Sequence, residues 1–162
     1  TLILKSPTTT DTDRIVAKEL ATIAELDYQD YGMKMIKAGS SLKGLSIEEI
    51  INYDYKEFQI NDMNFGIGQI LTLDYEQILK KKEEYIAFLD KTCENKNFKL
   101  MALFITDIVN NGSYVLYTSN AKQIMGLAFN KDNIEQGHYL EGIISRKKQI
   151  VPNIMVELEN MD

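Results

Sequence analysis

A chain of 162 residues with 44% hydrophobic side chains and a net charge of −6 can bury one medium-sized core, but it lacks the broad basic face that nucleic acid or an anionic membrane requires. Cys93 is the only cysteine and His138 the only histidine, so a disulfide framework, a thiolate metal cage and a two-histidine metal site are excluded within this chain. No apolar run reaches the roughly 20 residues that span a bilayer and nothing at the start resembles a signal peptide, so a reduced, cytoplasmic setting is expected.

Thr1 to Leu4 reads as the last residues of a buried strand, and a start inside the apolar run Leu2-Ile3-Leu4 reads as a cut end. A polar turn, Lys5 to Thr9, leads to Thr10, which pairs with Asp13 as a helix cap. Ile15, Ala17, Leu20, Ala21 and Ala24 then form a helical face to about Leu26. A second helix is predicted from Tyr28 to Ala38, with Tyr31 and Met35 on one side and Gly39 as its stop. Ser40-Ser41-Leu42-Lys43-Gly44 is short, polar and glycine-containing, which suits a linker between domains.

Beyond it, Ser46 and Glu49 form a capping-box pair for a short helix through about Asn52. Strands are expected from Tyr55 to Ile60 and from Met63 to Leu73, joined by Asn61-Asp62. Gly66 and Gly68 in the second mark either a bulge or a close backbone approach. Asp74 opens a long predicted helix to about Thr92, with Tyr75, Ile78, Leu79, Ile86 and Leu89 inward and Lys80-Lys81-Lys82 facing Glu83-Glu84 in solvent. Leu100 to Val109 and Tyr114 to Thr118, joined through Asn110-Asn111-Gly112-Ser113, read as a hairpin. A helix from Lys122 to Phe129, a loop from Lys131 to Gly137 and a short strand from Leu140 to Ile144 follow, and Ile150-Val151-Pro152 opens a last apolar segment ending near Met161. The fold class is α/β, with a mixed sheet flanked by helices.

Ser145-Arg146-Lys147-Lys148-Gln149 places three cations in a row on an acidic chain, at a strand-to-helix junction where unpaired backbone N–H groups also favour an anion. Two readings are open on the residues alone: a phosphate-type site, or a solvated basic run capping a strand. Other chemistry is sparse. Asp11 and Asp13 are explained by capping, Asp107 ends an apolar strand where functional and structural aspartates both occur, His138 suits a structural or solvated role, and no phosphate-binding glycine loop is present. The chain is therefore expected to bind an anion without activating water.

Five stretches, Leu4-Lys5-Ser6-Pro7-Thr8, Tyr31-Gly32 to Lys37-Ala38-Gly39, Asp54-Tyr55-Lys56-Glu57-Phe58, Ile105-Thr106-Asp107-Ile108 and Ser145 to Gln149, resemble in this order the carboxyl-terminal half of a family II inorganic pyrophosphatase. These are manganese- or cobalt-dependent enzymes of the DHH phosphoesterase superfamily. The resemblance implies residues 1–39 as the tail of the DHH catalytic domain, 40–45 as a linker and 46–162 as the DHH-associated domain that closes over pyrophosphate. It implies that Arg146 and Lys147, with Lys56 and the neighbouring Ser145 and Lys148, bind the substrate phosphates. Without the resemblance, Lys56 is an exposed strand lysine.

The family's metal-ligating histidines and aspartates would all lie upstream, Thr1 matching the residue after the last of them. Manganese, cobalt or magnesium is thus expected in the intact enzyme and none on this chain, which alone should be inactive. The implied partners are pyrophosphate, the absent DHH domain and a second copy in a homodimer, with neither nucleic acid nor membrane. Two alternatives stand beside this: a relative acting on an oligonucleotide or cyclic dinucleotide, and a non-catalytic anion-binding module.

Overall fold

Two short hairpins and one helical crossover build the sheet. In the computed structural model, which describes residues 4, 8–39, 41–107 and 109–161, strands β1 (Tyr55–Ile60), β2 (Met63–Leu71), β3 (Leu100–Asp107), β4 (Gly112–Tyr117) and β5 (His138–Glu141) lie side by side in chain order. β1–β2, β3–β4 and β4–β5 are antiparallel, whereas β2–β3 is parallel. A parallel pair cannot be joined by a tight turn, and here the connection runs through helices α4 (Tyr75–Lys80) and α5 (Lys82–Asn95).

Helices cover both faces. On one, Phe65, Ile67, Phe104, Val115 and Tyr117 pack against α6 (Lys122–Ala128) and α7 (Val151–Glu159) through Met125, Ile154 and Leu158. On the other, Ile70, Met101, Leu103 and Ile105 meet α3 (Ile47–Asn52), α4 and α5 through Ile51, Ile78, Tyr85 and Leu89. β3 lies at the centre, and every residue of it is buried, which explains its continuous apolar run. The mixed sheet between helices is the expected architecture.

Ahead of it stand α1 (Asp11–Ile23) and α2 (Tyr28–Gly39). The Thr10–Asp13 and Ser46–Glu49 capping boxes both form, because each Ser or Thr oxygen takes the N–H three residues on while the carboxylate returns to the cap's own N–H. The apolar face of α1 is uncovered: Ile15, Leu20 and Ile23 are 57%, 60% and 79% exposed. In α2 only Ile36 is buried, and Tyr31 and Met35 are exposed. Of the opening strand expected at Thr1–Leu4 and the polar turn after it, residues 1–3 and 5–7 lie outside the described residues, as do Ser40 of the linker and Ile108. Leu4 itself stands in a turn with φ of +59°.

Two expectations are corrected, and the open choice at the β2 glycines is decided. The helix read from Asp74 to Thr92 breaks at Lys81 (φ −110°, ψ 18°), and Asp74 takes the Gln77 side-chain amide instead of capping the backbone. The break lets Tyr75 stack on Tyr114 at 4.5 Å while Tyr85, Ile86 and Leu89 stay buried on α5. The last strand is His138–Glu141, not Leu140–Ile144, because Gly142 turns the chain aside at φ +74°. The three cations therefore follow a loop rather than a strand end. The glycines of β2 mark close approach, since β1–β2 register is unbroken from Tyr55↔Gly68 to Ile60↔Met63. The Tyr55 ring covers Gly66, and the Ile51 carbonyl oxygen lies 2.8 Å from where a Cβ on Gly68 would sit. No described helix is long and apolar enough to cross a membrane.

Because that carbonyl belongs to the backbone and cannot rotate away, Gly68→Ala should destabilise the domain by about 1–3 kcal/mol in urea unfolding. Burial also pushes the Tyr117 hydroxyl, which donates to the Ile134 carbonyl at 2.7 Å, up to about 12. Only the neutral phenol suits the fold, so this contribution is whole below the ordinary tyrosine value near 10 and is lost as pH rises through about 12. Urea stability measured across that window should fall, and Tyr117→Phe should reduce the fall.

Candidate functional site

The α6/α7 face of the sheet is apolar until the carboxyl ends of β2 and β3, where it turns polar. Gln69, Thr106 and Ser113 continue the rows that Ile67, Phe104 and Val115 begin, and Thr106 and Ser113 are buried. Their hydrogen bonds form one chain. The Gln69 amide donates to Thr106 Oγ1 at 2.8 Å and to the Ile144 carbonyl at 3.0 Å. Ser113 Oγ donates to the Ile143 carbonyl at 2.7 Å. That commits its only proton, so the 3.0 Å bond between Thr106 and Ser113 has Thr106 as donor. Two of these four links end on backbone carbonyls of the loop after β5, and they tie that loop to the sheet.

Gln149 closes the loop from the other side. Its Oε1 accepts the N–H groups of Ile144 and Ser145 at 3.0 and 2.9 Å, and its Nε2 donates to the Gly142 carbonyl at 2.7 Å. Ser145 Oγ accepts the N–H of Lys148 at 3.3 Å, and the N–H groups of Gln149 and Ile150 both donate to the Ser145 carbonyl. The second of these spans five residues, so Arg146–Ile150 forms a single wide π-helical turn running into α7. Pro152 fits there because the first helical turn has no use for its missing N–H.

The three cations do different things on this turn. Lys147 and Lys148 are exposed. Arg146 is not: its side chain is 10% exposed and reaches back to β1. Nη2 pairs with Asp54 Oδ1 at 2.7 Å, while Nη1 donates to the Asp54 carbonyl at 2.5 Å and to the Ile67 carbonyl at 3.4 Å. Ile67 is the register partner of Lys56, which is exposed on the same face of the sheet. The fold thus brings Arg146 to the strand that carries Lys56, 90 residues earlier in the chain. Asp107 acts locally: its Oδ1 accepts the N–H groups of Val109 and Asn110 at 2.9 and 3.1 Å. Among the described residues no three His, Cys, Asp or Glu side chains come together as metal donors.

Asp54, Gln69, Thr106, Ser113 and Gln149 were not singled out as functional by the sequence. Asp54, Thr106 and Gln149 nonetheless lie inside the stretches that carry the family resemblance, and the pairing of Asp54 and Thr106 with residues 92 and 37 positions away is the signal that only the fold supplies.

Residues 33–156 match the DHHA2 domain family. Over 159 residues the chain is 40% identical to a protein of Clostridium acetobutylicum assigned as a manganese-dependent inorganic pyrophosphatase, covering 98% of this chain and 51% of that one. It is 42% identical over 151 residues to the manganese-dependent inorganic pyrophosphatase of Bacillus subtilis, covering 93% of this chain and 49% of the relative. A crystal structure from Methanococcus jannaschii, assigned to the family II inorganic pyrophosphatases, superimposes with a TM-score of 0.83 at 39% identity, over 98% of this chain and 52% of the other. The chain spans about half the length of the relatives it matches.

Gln149 satisfies three backbone groups at once, so Gln149→Ala should cost about 1–3 kcal/mol in urea unfolding. Amide hydrogen exchange at Ile144 and Ser145 should accelerate in the same variant.

Proposed function

The chain belongs to the DHHA2 domain family, and from that premise we propose that it is the substrate-clamping part of a manganese-dependent inorganic pyrophosphatase. The observation that carries the reading is the basic turn Ser145–Lys148, pinned to the sheet edge by Gln69, Thr106, Ser113 and Gln149 and set beside Lys56 through Arg146. Such a site suits a compact, highly charged anion better than an extended one, because its cations are few and clustered on a chain of net charge −6. The names of the relatives support pyrophosphate as that anion and manganese as the metal.

In this reading the chain divides into 1–39, belonging with the preceding catalytic domain, a linker at 40–45, and the clamp at 46–162. The uncovered apolar residues of α1 support a further domain packed against them. Arg146 offers a planar fork to phosphate oxygens, and Lys147, Lys148 and Lys56 add mobile point charges. Ser145 takes part through its position, holding the turn's first N–H groups in place. Together these groups would bind and orient the two phosphates and offset charge that grows on them as the P–O bond breaks. This reading assigns the manganese to the amino-terminal half; among the described residues no three His, Cys, Asp or Glu side chains come together as its donors. The whole enzyme is taken as cytoplasmic and homodimeric.

The test is to fuse this chain to the amino-terminal half of a relative such as that of Bacillus subtilis and to assay manganese-dependent phosphate release from pyrophosphate. The fusion should turn over, the chain alone should not, and Arg146→Ala should lower kcat/KM by about 100-fold. A substrate panel with short oligonucleotides and cyclic dinucleotides separates the other phosphoesters: faster release from one of these, or unchanged kinetics in Arg146→Ala, overturns the reading.

A further inference from the structure

Arg146 is the most enclosed of the site's cations, and what encloses it is an acid. A guanidinium has five N–H donors in one plane, arranged as two forks: the end fork of Nη1–H and Nη2–H, and the side fork of Nη2–H and Nε–H. Asp54 takes the end fork, its carbonyl on Nη1 and its Oδ1 on Nη2, and the Ile67 carbonyl takes the second Nη1 proton. The two donors left without an acceptor among the described residues are Nε–H and the second Nη2–H. These are parallel and lie on one edge, the arrangement that receives two oxygens of a single phosphate group.

Asp54 is itself held. Its carbonyl also accepts the Gln69 N–H at 3.0 Å, and Gln69 is the residue whose side chain ties the loop before Arg146 to the sheet. The acceptors on Arg146 and the anchor of the turn it sits on are therefore one connected assembly. A carboxylate placed to compete with substrate would cover the side fork. This one covers the other.

We propose that Asp54 is a positioning residue of the pyrophosphate site: by holding the end fork of Arg146 it turns the side fork outward to grip one phosphate bidentately. This deepens the pyrophosphate reading and rests on it. The consequence is that lysine cannot replace Arg146, since an ammonium has no second fork for Asp54 to orient.

The experiment titrates inorganic pyrophosphate into the isotope-labelled chain, following the Arg146 Nε–H resonance and the dissociation constant together. The Nε–H resonance should move on binding, and Asp54→Ala should weaken binding about tenfold and abolish that movement. In an Arg146→Lys background Asp54→Ala should add less than about twofold, because nothing remains to be positioned. Equal loss in both backgrounds means Asp54 acts on general stability and overturns the proposal. Tighter binding in Asp54→Ala makes Asp54 a competitor and overturns it too. Should Asp54→Ala fail to fold, Asp54→Leu, which fills similar space without an acceptor, is read by the same cycle. If the native chain shows no saturable binding of pyrophosphate, the pyrophosphate reading itself fails and this one with it; if Arg146→Lys binds as well as the native chain does, only the side-fork proposal fails. If Arg146→Lys weakens binding while the two changes are additive, only the role of Asp54 fails.

Discussion

The loop that carries the cations is held by the hydrogen-bond chain Gln69–Thr106–Ser113. It is buried at the carboxyl ends of β2 and β3, where a polar group left unpaired would cost about 1–3 kcal/mol. Gln69 and Ser113 are satisfied only when Ile144 and Ile143 present their carbonyls to them, and Thr106 links the two. The loop is thus confined by the need to satisfy the sheet, and the sheet edge is satisfied only by the loop. Gln149 makes the same demand from the opposite side. A loop tied down from both sides has little conformational freedom left to lose.

Charge is distributed on the same principle. Enclosing a guanidinium without a partner is strongly unfavourable, and Arg146 is enclosed only because Asp54 and two backbone carbonyls receive it. Lys147 and Lys148 are exposed. One side chain therefore supplies fixed geometry and the others supply adjustable charge. The position at the carboxyl ends of the two parallel strands follows a general rule for α/β sheets, in which the strand ends and the loops after them form the concave edge.

Much of the fold was legible. Both capping boxes, the Asn-rich turn before Gly112, the alternation of β1 and the unbroken apolar run of β3 each follow from short-range chemistry. They appear at the residues where spacing puts them. The misreadings share a cause. Nothing local interrupts the helical pattern at Lys81; the break goes with Tyr75 stacking on Tyr114 while Tyr85, Ile86 and Leu89 stay buried on α5. Likewise Leu140 to Ile144 reads as a short apolar strand despite Glu141 and Gly142, but the turn at Gly142 and the pull of Ser113 and Gln69 on the following carbonyls take its last three residues out of the sheet. The cation cluster was visible, whereas its division into one anchored arginine and two exposed lysines was not.

By itself the sequence determined the classes of element, the mixed α/β architecture, the absence within this chain of a disulfide or two-histidine metal site, and the stretch in which cations are concentrated. These depend on periodicity, capping and composition, all of which act within a few residues. Tertiary structure alone decided that Asp54 faces Arg146, that Gln69 reaches Ile144 and that Lys56 shares a sheet face with the basic turn. Those relations join residues separated by up to 92 positions. They exist only after β1, β2 and the loop following β5 have been packed together.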